Sequence, residues 1–189
     1  MIKDRTTAYA KLVVSGKKIA GRKEYLACKR HLDDLKNKKL EYKFDVEEAE
    51  FAINFANTLT LKDGTNLKTR GFQEFIIGSL HGWKKKRTKE RRFREAYLQV
   101  GRRNGKSFLS GAESTMFSTL LGNKDRIFCA ATKQDQANIV WDEIRNFIES
   151  DNDLSELYKI KEHDRTIKSL ATGTVIRSIG RDTKSMDGF

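Results

Sequence analysis

Between Ala96 and Glu149 the apolar residues alternate between strand and helix period, and this alternation restricts the fold more than any other feature of the chain. "AYLQV" (Ala96 to Val100) is a short apolar run of strand type. "KSFLSGAESTMFSTLL" then places Phe108, Leu109, Ala112, Met116 and Leu120 at helical spacing and stops before Gly122. "RIFCAAT" (Arg126 to Thr132) is a second apolar strand. "QDQANIVWDEIRNFIE" is a second amphipathic helix, with Ala137, Val140, Trp141, Ile144 and Ile148 inward and Thr132 and Asp135 at capping-box spacing. "TIKSLATGTVIRSI" alternates around a Thr-Gly turn and reads as a hairpin. Strand, helix, strand, helix is the βαβα order of an α/β fold with a mostly parallel sheet.

The upstream half reads differently. Residues 5–37 are predicted helical, with Tyr25, Leu26, Cys28, His31, Leu32 and Leu35 on the spacing. Cys28 and His31 stand at i and i+3, but a closed zinc site wants four ligands, so a packed helix is the reading. Asp45 to Leu59 repeats the helical period through Ala49, Ala52, Ile53 and Ala56. "GFQEFIIGSLHGW" carries Phe72, Phe75, Ile76, Leu80 and Trp83 as an apolar stripe. "KKKRTKERRFR" (Lys84 to Arg94) follows, with eight basic residues in eleven, read as a solvated loop whose position makes it a DNA-contact candidate. The expected division is a helical N-terminal part over residues 1–60 and an α/β part over 61–189.

A formal net charge of +12 suits a protein that meets a polyanion, or one with a solvated basic surface. Two widely separated cysteines give no disulfide framework, and no apolar run approaches the length that spans a bilayer, so an intracellular, membrane-free protein is expected.

Between the first strand and its helix lies "VGRRNGKS" (Val100 to Ser107). A polyphosphate needs inward-facing backbone N–H groups at a helix N-terminus, a lysine and a hydroxyl for Mg²⁺. Gly105 lets the backbone approach, Lys106 supplies the charge and Ser107 opens the helix. The pattern GxxxxGK[ST] calls for glycine at position 100, where Val100 stands, and Gly101 comes one residue late. Arg102 and Arg103 either hold phosphate charge or form a basic turn.

Taken together, "LACKRHLDDL", "FQEFIIGSLHGW", "REAYLQVGRRNGKS", "CAATKQDQANIVWDE" and "SIGRDTKSMDGF", in this order, resemble the N-terminal part of the large terminase subunit of tailed bacteriophages, the motor that moves DNA into the procapsid. That family's phosphate loop is a deviant one with an arginine near its start, and "GRRNGKS" looks like it. The resemblance implies a RecA-like ATPase core with a helical N-terminal subdomain, and ATP and Mg²⁺ as cofactors. It places Lys106 and Arg102 in catalysis, Gly101, Arg102, Arg103, Asn104, Gly105, Lys106 and Ser107 around the nucleotide, Ser107 on the metal, and Gln73 against the adenine. "KTRGFQ" departs from the family by lacking the proline and tryptophan often seen before that glutamine. The implied partners are double-stranded DNA, a portal protein, the small terminase subunit and further copies of the large subunit in a ring, in the host cytoplasm.

A phosphate-loop ATPase also uses an acidic strand for Mg²⁺ and a glutamate for the attacking water. No apolar strand ending in Asp-Glu follows Ser107, and the family's acidic strand would begin where this chain ends. The expectation is therefore the front portion of a terminase, without its nuclease domain, binding ATP weakly and hydrolysing it poorly. The rival is a truncated prophage product that keeps only a basic surface for DNA or a partner helix. A small-molecule kinase is disfavoured, because the basic run and helical extension have no use there.

Overall fold

The computed structural model describes residues 3–180. The end of "SIGRDTKSMDGF", with Asp187, lies outside the described residues. The fold divides into two compact units, Met1–Asn57 with Lys68–Tyr97, and Thr58–Leu67 with Leu98–Phe189.

The N-terminal unit contains α1 (Arg5–Val14), α2 (Arg22–Lys36), β1 (Tyr42–Phe44), α3 (Val46–Thr58), α4 (Gly71–Gly82) and β2 (Trp83–Lys85). The stretch expected to be helical over 5–37 forms two helices: Ser15 caps α1, and Gly16 takes the left-handed φ of +76° that ends it. Asp4 opens α1 by accepting from the Thr7 N–H at 2.8 Å. Arg5 then joins α1 to α3: its guanidinium and its backbone N–H each meet the Glu50 carboxylate at 2.7 Å. Both side chains are largely buried, so losing either partner would strand a charge at a cost of roughly 3 kcal/mol or more. Helix α4 packs on α1 because Gly78 has no side chain: a Cβ there would lie 1.8 Å from Thr6 Oγ1. This contact places α4 with the N-terminal helices, whereas the sequence reading divides the chain after residue 60.

The basic run is not a free loop. Its first residues form β2, paired antiparallel to β1 in the register Tyr42↔Lys85 and Phe44↔Trp83. Lys84 pairs with Glu48 at 2.8 Å and Arg92 with Asp34 at 2.7 Å, and the Arg92 guanidinium also lies 5.1 Å from the centres of Tyr42, Trp83 and Phe93. At the centre of the unit His31 confirms the packed-helix reading. Its Nδ1 accepts from Trp83 Nε1 at 3.0 Å, its Nε2 lies 2.9 Å from Thr7 Oγ1, and the rings of Phe44, Phe75 and Trp83 stand edge-on to it.

The second unit contains the turn at Thr58–Leu67, closed by a bridge between Thr60 and Asn66, then α5 (Lys106–Met116), a π-helical turn (Phe117–Leu121), β3 (Arg126–Ala131), α6 (Gln134–Glu149), α7 (Asn152–Glu156), β4 (Tyr158–Lys161), β5 (Thr166–Ser169) and β6 (Val175–Gly180). The four-stranded sheet runs β3-β6-β5-β4 and is mixed: β3 and β6 are parallel, while β5 is antiparallel to β6 and to β4. The expected parallel character is confined to the pair joined by a helical crossover. The expected hairpin and the short strand β4 before it, which the sequence reading passes over, supply the antiparallel ladders, since strands linked by short turns pair antiparallel. Cys129, Trp141, Ile144, Ile148, Tyr158, Ile167 and Ile176 form the core.

Two local expectations are corrected. Residues 96–100 form no strand among the described residues, because an apolar run becomes a strand only with a hydrogen-bonded neighbour, and Tyr97 is 82% exposed. Helix α6 is not opened by a capping box: Lys133 is its cap residue and Thr132 Oγ1 donates instead to Gln136 Oε1 at 3.3 Å. The π turn, marked by the Gly122 N–H bonding to Phe117 O at 2.7 Å, rotates Leu120 off the buried face of α5.

Burial pushes the His31 pKa down from 6.5 to about 4, against the opposing pull of Asp4 and Asp34. Protonating Nδ1 would also set two donors, the ring N–H and the indole N–H, against each other. Above pH 6.5 the imidazole is neutral folded and unfolded; between 6.5 and about 4 only the unfolded chain takes the proton. The thermal midpoint should therefore fall through that window, and His31→Gln should flatten this part of the profile. Parallel profiles for parent and variant would refute it.

Candidate functional site

The loop Val100 to Ser107 enters α5 through two residues in the left-handed region: Arg103 at φ +63° and Gly105 at φ +72°, ψ +26°. A turn of this kind, with successive amides redirected at a helix start, makes a concavity lined by N–H groups. No acidic residue lies in the first turn of α5 to compete with an anion. The Lys106 ammonium folds back over the loop and donates to Val100 O at 2.9 Å and Gly101 O at 3.2 Å. Asn104 Nδ2 donates to Arg102 O at 3.1 Å, which braces the turn from inside. Gly101, Arg102, Arg103, Asn104 and Lys106 are exposed, and Gly105 and Ser107 half-buried. Val100, in the place of the usual glycine, serves through its carbonyl, and a carbonyl is independent of the side chain.

Of the residues singled out in the sequence, the fold thus brings Gly101 through Ser107 together in one loop. Gln73 belongs to the other unit. It is buried in the first turn of α4, where its Oε1 accepts from the Arg70 N–H at 2.8 Å.

Helix α5 continues into a cleft that the sequence did not announce. Phe108, the residue after Ser107, lies with its ring centre 6.2 Å from that of Phe147, and these rings with Leu61, Lys62, Glu143 and Asn146 line a space of about 410 Å³. Burial raises the Glu143 carboxyl above its usual range, with Lys62 opposing. Phe108 and Glu143 read in sequence as parts of amphipathic helices, because the spacing that marks a helix face does not distinguish a packed face from a cleft wall. Among the described residues, no group of three or more His, Cys, Asp or Glu side chains gathers as a metal site.

Residues 71–189 match the family described as terminase large subunit, ATPase domain. The crystal structure of the HK97 bacteriophage large terminase is similar to this chain with a TM-score of 0.64 at 18% sequence identity, over 75% of this chain and 29% of that one. The chain therefore spans less than a third of that protein's length, and the likeness shows a shared fold, an α/β architecture of RecA-like type. No curated protein matches the chain.

The left-handed start of α5 yields a paired test. Gly105→Ala should destabilise by about 1–2 kcal/mol, because a Cβ is strained at this φ. Arg103→Gly, at the loop's other positive φ, should stay within about 1 kcal/mol of the parent, since relief of strain offsets the freedom gained by the unfolded chain. Denaturant titration of both variants measures the contrast, and equal effects would refute the geometry.

Proposed function

The chain belongs to the terminase large subunit ATPase family, and from that premise we propose that it binds ATP with Mg²⁺ through Gly101–Ser107 and serves as ATPase portion of a motor that drives double-stranded DNA into a procapsid. The observation that carries this reading is the left-handed Gly105 at the start of α5, with Lys106 poised over the same loop. The donor set fits a polyphosphate: a helix N-terminus, an ammonium, two exposed guanidiniums and a hydroxyl, with no carboxylate in the helix's first turn.

Lys106 now spends its hydrogen bonds on two neutral carbonyls. A phosphate oxygen is a charged and therefore stronger acceptor, so nucleotide binding would exchange these bonds for charge-assisted ones and free the Val100 and Gly101 carbonyls. Arg102 and Arg103 are placed to add charge at the loop's mouth. In catalysis Lys106 and Arg102 would hold the charge that develops on the transferred phosphoryl group. Mg²⁺, when bound, neutralises phosphate charge; Ser107 is the residue of the loop that offers it a hydroxyl oxygen. The adenine role of Gln73 rests on sequence resemblance, and its amide oxygen is already committed to the α4 cap.

The same premise supplies the partners: duplex DNA, a portal protein, the small terminase subunit and other copies of the large subunit in a ring, within the host cytoplasm. No helix among the described residues is long and apolar enough to cross a membrane.

Equilibrium binding of a fluorescent ATP analogue with Mg²⁺ tests the site. Lys106→Ala should weaken it at least about tenfold, the equivalent of roughly 1.4 kcal/mol. Ser107→Ala should lower the gain that Mg²⁺ brings. Equal binding by parent and Lys106→Ala would sink the proposal.

A further inference from the structure

The net charge of +12 is not shared between the units. The N-terminal unit holds 23 Lys and Arg against 12 Asp and Glu, whereas the loop-bearing unit holds 15 against 14. Nearly all the excess positive charge therefore lies outside the unit that carries the nucleotide loop.

Within the N-terminal unit the excess is focused. Pairing of β1 with β2 sets the end of α2 and the connection after it beside the turn that follows β2: the Lys86 N–H donates to Glu41 O at 2.9 Å and Lys86 Nζ to Lys38 O at 3.0 Å. This brings Lys36, Lys38 and Lys39 together with Lys86, Arg87 and Lys89. All six are exposed, and among the described residues none has a carboxylate partner. The carboxylates nearby in sequence are taken: Glu41 by Lys85 at 3.8 Å and Glu90 by Arg94 at 3.6 Å. Like charges gathered on one surface repel one another, and a polyanion relieves that repulsion while releasing its own counterions. The residues between them, Asn37 and Thr88, carry no aromatic ring, so the patch has phosphate binders without the stacking platforms that single strands require.

We propose that Lys36, Lys38, Lys39, Lys86, Arg87 and Lys89 form a grip for the phosphate backbone of duplex DNA that does not read base sequence. The choice of duplex DNA rests on the packaging reading; the location rests on the charge partition and the β1–β2 pairing.

The test is fluorescence anisotropy with a duplex of about 30 base pairs between about 50 and 200 mM salt. The triple variant Lys38→Gln, Lys39→Gln, Arg87→Gln should reduce the slope of log affinity against log salt by about 2 to 3, since each phosphate contact contributes about 0.9. Its melting should be unchanged, because among the described residues these three side chains make no hydrogen bond or ion pair. The control Lys159→Gln, Lys161→Gln, Lys168→Gln removes the same charge from β4 and β5 and should leave the slope unaltered. Equal slopes for the two triples overturn the assignment, as does a patch variant that loses polyglutamate binding but keeps DNA, which would make the surface one for acidic protein. Lys106→Ala separates this inference from the nucleotide reading: it should lose the ATP analogue and retain the full DNA salt slope. A parent that binds nucleotide but no duplex overturns the grip and leaves the nucleotide site standing.

Discussion

A neutral imidazole organises the N-terminal unit. His31 on α2 takes the indole N–H of Trp83 on β2 with one nitrogen and faces the Thr7 hydroxyl on α1 with the other, while Phe44 of β1 and Phe75 of α4 close around the ring. Five elements meet at one side chain that can act as donor and acceptor at once only while it is uncharged. Trp83 is held at the start of β2 by this bond, and β2 in turn fixes the register of β1. The exposed basic patch therefore depends on a buried, uncharged interaction beneath it. The physical reason is the usual one for a polar group in a core: once desolvated, it must be fully satisfied or it costs more than it contributes.

Backbone satisfaction governs the other unit in the same way. The segment before α5 finds no ladder, and at its end the carbonyls of Val100 and Gly101 are met by Lys106. A lysine that serves its own loop is held where an anion arriving at the helix N-terminus would meet it. The left-handed turn at Gly105 is what makes this possible, since it points the first amides of α5 back toward the loop. The missing glycine at position 100 costs nothing here, because the loop uses that residue's carbonyl.

The two units divide the electrostatic work. Arg5, Lys84 and Arg92 are consumed inside the N-terminal unit, each by a carboxylate that sequence alone places far away. What remains outside is a cluster of cations with no carboxylate partner among the described residues, while the loop-bearing unit is almost neutral and carries Arg102 and Arg103 on its loop. Under the proposed function one polyanion, the nucleotide, is short and would be met by backbone amides with a few charges. The other proposed polyanion, a duplex, is long and would suit dispersed lysines on a separate surface.

Much of this was legible in the sequence. The periods of α5, α6 and the β5–β6 hairpin are visible in the spacing of apolar residues, and Gly105 in GRRNGKS marks a turn into a charged helix start, because few residue types permit a left-handed backbone. Local chemistry of this sort is determined by neighbours in the chain. The break between α1 and α2, the absence of a strand at 96–100 and the pairing of the basic run as β2 were not legible, because each depends on whether a distant partner exists for backbone groups that look alike in sequence. The patch is the clearest case. LKNKKL and KKKRTK are two unremarkable lysine-rich stretches in the sequence, and only the β1–β2 ladder, a hydrogen-bonded pairing across some forty residues, joins them into one charged surface.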